Sequence, residues 1–493
     1  MEQYITEFAK YFIAIFMALY TYECFAVFRY STEERRNGIY IRQNLLMFLV
    51  HFACFLVICT ETEEIDYLFF YAFWEIILFA AIVLFHMIYP RINRLIINNI
   101  GLLLGIGFVM LTRLSFDKAK KQFIIVTISL IIALTIPYFV EQFRFLKDLK
   151  WLYALVGIAA LSAVLILGSV TKGAKLSFSI GGLSFQPSEF VKIIFVFFVA
   201  SMLYKASGFL EVALSAVVAG LHVIILVCSK DLGSALIFFV VYVMMVFVAT
   251  KNWFYLLLGA AGGSAAAVIA YKLFTHVQIR VLAWQDPWSV IDNEGFQITQ
   301  SLFAIGSGGW FGLGLFKGTP QSIPFVEADF IFSAVTEEMG LIFAMCLILI
   351  CISCFIMCMN ISVRLNDKFY QLVAFGLGVT YIFQIFLTIG GGTKFIPLTG
   401  VTLPFISYGG SSVLTTLVMF SIIEGLYIIK QHEVSKSDKE KRKEASGRNS
   451  GRRDDLFEET EYGVEYYKDE YDEEEAYRKK HHKEKQYRQE DED

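Results

Sequence analysis

Val326-Glu-Ala-Asp-Phe-Ile-Phe-Ser-Ala-Val-Thr-Glu-Glu-Met-Gly340 decides how this chain is read. It closes a long polar loop and enters an apolar run that continues to about Asn360. Asp329 therefore stands where a water-facing loop meets a membrane-length segment, and Glu337 and Glu338 lie inside that segment. An ionisable side chain at bilayer depth costs several kcal/mol unless it faces a cavity or a partner, so function is the default expectation. Two readings of Asp329 stand side by side: a general base for an attacking hydroxyl, and the N-cap of the following helix. If one helix starts at Asp329, Glu337 lies about 80° round its axis and Glu338 on the opposite side. One of the two glutamates is then expected to share a cavity with Asp329; the alternative is ion pairing within a bundle.

Outward from this stretch the chain is apolar throughout. Of 493 residues, 56% are hydrophobic and 16% aromatic, with only 18% charged, which is more apolar than a soluble domain. Runs of about 20 apolar residues predict an all-α polytopic membrane protein. Thirteen spans are expected, near 11–28, 44–60, 67–89, 95–112, 122–140, 151–170, 188–204, 211–229, 233–250, 253–274, 334–360, 370–389 and 412–430. Lys and Arg placement sets the orientation. Arg29, Arg35, Arg36 and Arg42, then Arg91 and Arg94, then Arg144, Lys147 and Lys150, and later Lys205, Lys251, Arg364 and Lys368 fall on one side. That side is expected to be cytoplasmic, with the N-terminus outside and the C-terminus inside. Arg113, Lys118, Lys120 and Lys121 dissent, falling outside, where contact with anionic lipid head groups is one explanation.

Three long connections, 171–187, 275–333 and 390–411, face outward and are rich in Gly, Pro, Ser, Thr and aromatic residues. A connection as long as 275–333 is usually functional when it is ordered, and its aromatic residues predict short interfacial helices and a structured lid. The last 63 residues, 431–493, are a different material, basic first and then mixed and acidic. Such a segment cannot bury enough apolar surface to fold alone and is expected to be a disordered cytoplasmic tail; a basic stretch held to anionic lipid, or a docking site, is the sharper alternative. The eight cysteines all fall in apolar runs, so Cys351-Ile-Ser-Cys354 reads as packing rather than a redox or metal site. No cleavable signal peptide is evident. Glu75, mid-span, is expected to pair with a neighbouring helix.

Further chemistry is expected at three places. In Gln186-Pro-Ser-Glu-Phe-Val-Lys192, Pro187 and Ser188 suit a helix start, and Glu189 and Lys192 can face each other at i,i+3. Lys192, a turn into the membrane, could bind a phosphate or hold a carboxylate in place. The loop from 275 to 333 carries Arg280, Gln297, Ser301, the glycine-rich Ala304-Ile-Gly-Ser-Gly-Gly-Trp-Phe-Gly-Leu-Gly314 and Lys317. Glycine clusters can present backbone N–H groups to anions, which beside Arg280 and Lys317 fits a pyrophosphate. The loop from Gly390 to Ser412 holds Lys394, Ser407, Gly409 and Gly410 and is stiffened by Pro397 and Pro404. It reads as a rigid re-entrant connector that still lines the site.

Taken together, Gln186-Pro-Ser-Glu189 with Lys192, Asp231-Leu-Gly233, Gln297 with Gln300-Ser301, Ala304 through Gly309, Asp329-Phe-Ile-Phe332, Glu337-Glu338 with Gly340, and Pro397 through Ser412 resemble the SEDS family (shape, elongation, division and sporulation), the RodA/FtsW/SpoVE group. The resemblance covers roughly 95–430 and implies a ten-helix core, leaving residues 1–94 as about three extra N-terminal transmembrane helices. It implies a peptidoglycan glycosyltransferase of the plasma membrane that polymerises lipid II, a disaccharide-pentapeptide on undecaprenyl pyrophosphate. It places the catalytic aspartate at Asp329, sets Lys192 and Glu338 around a central cavity, and makes class B penicillin-binding proteins the partners, with no nucleic acid. Glu189, Arg280, Gln297, Ser301, Lys317, Lys394, Ser407, Gly409 and Gly410 complete the expected substrate-binding set. Charge on the leaving pyrophosphate calls for Arg280, Lys192, Lys317, Lys394 or a divalent cation, Mg or Mn. Thr388 stands where the family often has Asn, and Lys230 replaces the Pro ahead of Asp231-Leu-Gly233. A lipid II flippase and a non-catalytic scaffold for a transpeptidase are the rival classes.

Overall fold

The computed structural model describes residues 2–450 apart from 31, 172, 173, 181, 182 and 207. The acidic end of the expected tail, 451–493, lies outside the described residues. Met1–Glu433 forms one compact unit, and Val434–Asp493 a second whose described part, to Ser450, is helical.

The spanning helices, in order, are α1 (Glu2–Ala26), α2 (Glu33–Thr62), α3 (Ile65–Ile88), α4 (Arg94–Leu114), α5 (Phe116–Gln142), α6 (Lys150–Leu167), α7 (Pro187–Leu203), α8 (Phe209–Cys228), α9 (Leu232–Thr250) and α10 (Trp253–Leu273). After the short helices α11 (Thr275–Gln285) and α12 (Phe296–Gly308) come α13 (Ile331–Arg364), α14 (Lys368–Gly392) and α15 (Gly410–Ser450). Twelve of them are long and apolar enough to cross a membrane. The other expected span, α7, has 17 residues, about 25 Å of helix, at the lower limit for a bilayer core.

Contacts between helix ends establish the alternation. At one end, Thr6 of α1 donates to Glu61 of α2 (2.9 Å), the rings of Tyr67 and Phe116 stack at 4.3 Å, and Ser188 donates to Asp231 (3.1 Å). At the other, Arg42 pairs with Glu23 at 2.6 Å, Glu424 accepts from the Asn93 N–H (2.8 Å), and Lys147 meets Asp367 at 3.8 Å.

The extra helices are packed into the bundle. Helix α4 is buried all round because α2 and α3 insert side chains into its glycine notches. A Cβ on Gly101 would stand 3.0 Å from Met47 and Leu78, and one on Gly105 only 1.8 Å from the His51 ring. A polar seam reinforces the contact: Tyr20 donates to Asn99 (2.9 Å), Asn99 to Ser353 (2.9 Å) and Asn98 to Gln43 (3.1 Å). Inter-helix hydrogen bonds of this kind contribute roughly 0.6 kcal/mol each in a membrane. Glu75 finds its partner in His51 Nδ1 at 3.1 Å. All eight cysteines are free, and Cys351 and Cys354 are buried among helices.

Two connections depart from a purely helical reading. Residues 169–185 form an antiparallel sheet in the order β1 (Ser169–Thr171), β2 (Ala174–Ile180) and β3 (Leu183–Phe185). The alternation in Lys175-Leu-Ser-Phe-Ser-Ile180 is a strand signal hidden between two spans. The long connection before α13 does contain interfacial helices, α11 and α12.

Candidate active site

At the end where α7, α9, α13 and α15 begin lies a cavity of about 1170 Å³, lined by Glu189, Lys230, Asp231, Arg280, Gln297, Asp329, Gly409 and Gly410, among others. A volume of this size holds a large ligand. Asp329 reaches it from the last turn before α13. The N-cap position of α13 is Phe330, and Asp329 occupies the turn just before it.

The last long loop fixes this segment. Ser407 Oγ donates to the Ala328 carbonyl (2.5 Å), and the Tyr408 N–H donates to the Glu327 carbonyl (2.7 Å). Gln122 clamps the same loop, donating to the Ser407 carbonyl (3.0 Å) and accepting from the Gly409 N–H (3.1 Å). Gly400, at φ +75°, faces the catalytic candidate: a Cβ there would stand 4.0 Å from Asp329 Oδ2. Only a residue at ease in the left-handed region presents so little bulk at that point. Thr388, in the place of the expected Asn, donates to the Val401 carbonyl (2.9 Å) and ties α14 to this loop. The connector is thus rigid and lines the site, as its prolines and glycines predicted.

Arg280 enters from α11, its Nη1 donating to the Thr399 carbonyl (3.3 Å). Burial lowers the guanidinium from its ordinary value, and the Asp329 and Asp231 carboxylates oppose that shift. The arginine remains charged over any biological pH. Asp231 caps α9 by accepting from the Ser234 N–H (3.1 Å), and burial pushes its carboxyl up.

Lys192 lies behind the cavity wall. Its ammonium, 3% exposed, donates to Glu189 (2.9 Å) and Gln384 (2.7 Å), and Thr415 also donates to Glu189 (3.3 Å). It holds a carboxylate in place, and it is not among the residues that line the cavity.

Several expected site residues sit elsewhere. Glu338 is fully buried and receives Arg113 at 3.0 Å, while Glu337 accepts from the Thr319 N–H (2.9 Å). Neither lines the cavity; both lie within α13, while Asp329 precedes its first residue. Lys317 pairs with Glu61 at 3.2 Å, on the extra helices. Ser301 is buried between Ser333 (2.6 Å) and the Gly392 carbonyl (2.7 Å), a helix-to-helix tie. Lys394 and Ser407 are outside the lining, though the Lys394 carbonyl accepts from Trp284 Nε1 (3.2 Å) and so tethers α11.

The glycine cluster also serves the scaffold. Helix α13 breaks at Gly340 (φ 88°, ψ 169°), and the turn segment 309–314 packs against the break. Leu313 and Gly314 donate to the Glu337 and Glu338 carbonyls (3.0 and 2.9 Å), and Leu341 and Ile342 donate to Gly309 and Trp310 (2.9 and 3.1 Å). A Cβ on Gly312 would stand 2.2 Å from the Glu338 carbonyl oxygen. Gly308 and Gly312 are thus used for close approach to the backbone of α13.

Three of the four dissenting cations are paired. Arg113 meets Glu338, Lys118 meets Glu327, and Lys120 meets Asp117. Arg113 is a structural residue that sequence reasoning missed; its misplacement against the charge rule was the signal. Lys230, in the cavity lining, was noted only as a departure from the family pattern.

The chain belongs to the FtsW/RodA/SpoVE family of cell cycle proteins, whose model matches residues 93–432. It is 30% identical over 363 residues to the peptidoglycan glycosyltransferase RodA of Mycobacterium tuberculosis (strain ATCC 25618 / H37Rv), covering 68% of this chain and 77% of that one. Its fold matches a chain from work on the structural coordination of polymerization and crosslinking by a peptidoglycan synthase complex, with a TM-score of 0.59 and 26% identity over 69% of this chain and 98% of that one. The rod shape determining protein RodA of Thermus thermophilus shares the fold, with a TM-score of 0.53 and 23% identity over 69% of this chain and 97% of that one.

Proposed function

We propose that this chain is a membrane-embedded peptidoglycan glycosyltransferase that polymerises lipid II, with Asp329 as the general base. One observation carries the assignment of the base: Asp329 stands on the wall of the large open cavity, beside Arg280, on a segment pinned by the loop from 390 to 411. The carboxylate takes the proton from the acceptor sugar's 4-hydroxyl as that oxygen attacks the donor's anomeric carbon. The bond from that carbon to the phosphate oxygen breaks, and undecaprenyl pyrophosphate leaves with the bonding pair. Arg280, charged and half-buried, faces the negative charge that builds on the leaving group. Gln297, Gly409 and Gly410 supply polar and backbone surface to the sugars.

A divalent cation, Mg or Mn, fits this site as a partner of substrate phosphates. Among the described residues no group of three or more His, Cys, Asp or Glu side chains could hold a metal, and Mg commonly needs only one or two carboxylates beside phosphate oxygens. Glu189, Asp231, Glu294 and Asp329 are the carboxylates that line the cavity; such an ion would neutralise leaving-group charge.

We place the cavity mouth on the outer face of the plasma membrane, with the N-terminus outside and the tail in the cytoplasm. The support is the run of arginines and lysines at the opposite end of the bundle, against pairing of the cavity-end cations. The partner we assign is a class B penicillin-binding protein, which would crosslink the strands; no nucleic acid is involved. Polymerisation of labelled lipid II by the full chain and its partner in liposomes tests the reading. Long glycans are expected. Translocation of lipid II without glycans would establish the flippase instead.

A further inference from the structure

Among the described residues, two cations line the cavity, Arg280 and Lys230. We propose that Lys230 is a binding residue for the pyrophosphate of the polyprenyl-linked donor, an inference that rests on the glycosyltransferase reading above. The backbone supplies the argument. Helix α8 ends in a Schellman motif: the Asp231 N–H donates to the Leu226 carbonyl (2.9 Å) and the Lys230 N–H to the Val227 carbonyl (3.0 Å). Lys230 occupies the left-handed position of that motif, at φ 64°. Glycine is the usual occupant, because a Cβ crowds the backbone there. A lysine in that place sacrifices stability, and an outlier of this kind at a cavity wall points to function.

The placement suits an anion. Lys230 is exposed toward the cavity and forms the turn ahead of Asp231, which Ser188 and Ser234 hold. The turn is therefore fixed while the ammonium stays free to meet a ligand. Across from it, α11 presents His276 and Arg280. Burial, then Arg280 and Lys230, hold the His276 imidazole below its ordinary value, which sets the three groups within electrostatic reach of one another. His276 Nε2 is buried with no hydrogen-bond partner. The cavity also holds the Glu189, Asp231, Glu294 and Asp329 carboxylates; imidazole, guanidinium and ammonium gathered around one wall are the groups that can meet a multiply charged anion there.

Lys251 supplies an internal control. It caps α9 in the same left-handed conformation (φ 55°, ψ 24°) but at the opposite end of that helix, away from the cavity. The experiment compares Lys230→Gly, Lys230→Arg and Lys251→Gly in the full chain. Three readouts are used: Tm, calorimetric binding of inorganic pyrophosphate, and KM for lipid II in polymerisation with the partner. Both glycine variants are expected to raise Tm, since each relieves a left-handed side chain. Only Lys230→Gly should weaken pyrophosphate binding, roughly tenfold for one lost charge-assisted contact, with a parallel rise in KM; Lys230→Arg should retain both. Unchanged pyrophosphate binding in Lys230→Gly overturns the proposal. Binding is read without turnover, so an inactive wild-type chain would count against the glycosyltransferase reading alone.

Discussion

Asp329 and Glu338 lie within ten residues of each other at the same end of the bundle, and they have opposite surroundings. Asp329 opens onto a cavity of about 1170 Å³. Glu338 is sealed, paired with Arg113, whose guanidinium also stands 4.4 Å over the Phe316 ring. A carboxylate at membrane depth therefore has two ways to persist: water and ligand, or a buried counter-charge. The first leaves the group open to a ligand and the second makes it part of the scaffold.

Substitutions can break or sharpen that contrast. The largest effect is expected from Asp329→Ala, a loss of roughly 10²–10⁴-fold in glycan polymerisation, the range for removing a general base, with Tm unchanged. Retained polymerisation by that variant would end the assignment. Arg113→Met should act the other way: about 3–5 kcal/mol of destabilisation from an orphaned buried carboxylate. Pairing it with Glu338→Leu should recover most of the Tm, and a double variant no better than the single would refute the architectural role.

Gly340→Ala should cost about 1–3 kcal/mol from conformation alone, and more because its Cβ would stand 2.3 Å from the Gly312 N. A wild-type denaturation curve for Gly340→Ala would show that the turn segment does not need the close approach. The smallest effect is expected at Lys317→Ala. Its pair with Glu61 is partly exposed, and such pairs contribute about 0–1 kcal/mol. A loss of polymerisation from this variant would return Lys317 to the substrate site.

Much of this was legible in the chain. Period and length of the apolar runs located every span, including α7, and the motifs at Asp329, Glu189, Gln297 and Gly409 led to the cavity. The expected site residues that do not line the cavity have one thing in common. Lys317, Ser301 and Glu338 are polar residues in the right segments, but a segment has several faces, and their partners (Glu61, Ser333 and Arg113) come from elements far away in sequence. Glycine 312 and its neighbours looked like an anion nest because a backbone N–H gives no sign of what it will meet.

Hydrophobic runs of bilayer length alone determined that this is a multi-span helical membrane protein, since lipid leaves the backbone no other way to satisfy its hydrogen bonds. Which charges face ligand and which face each other was decided only when the helices packed. Counter-charge is a matter of a few ångströms between distant residues, and the start of α13 at Ile331, which leaves Asp329 in the preceding turn and Glu338 inside the helix, is not encoded by linear spacing.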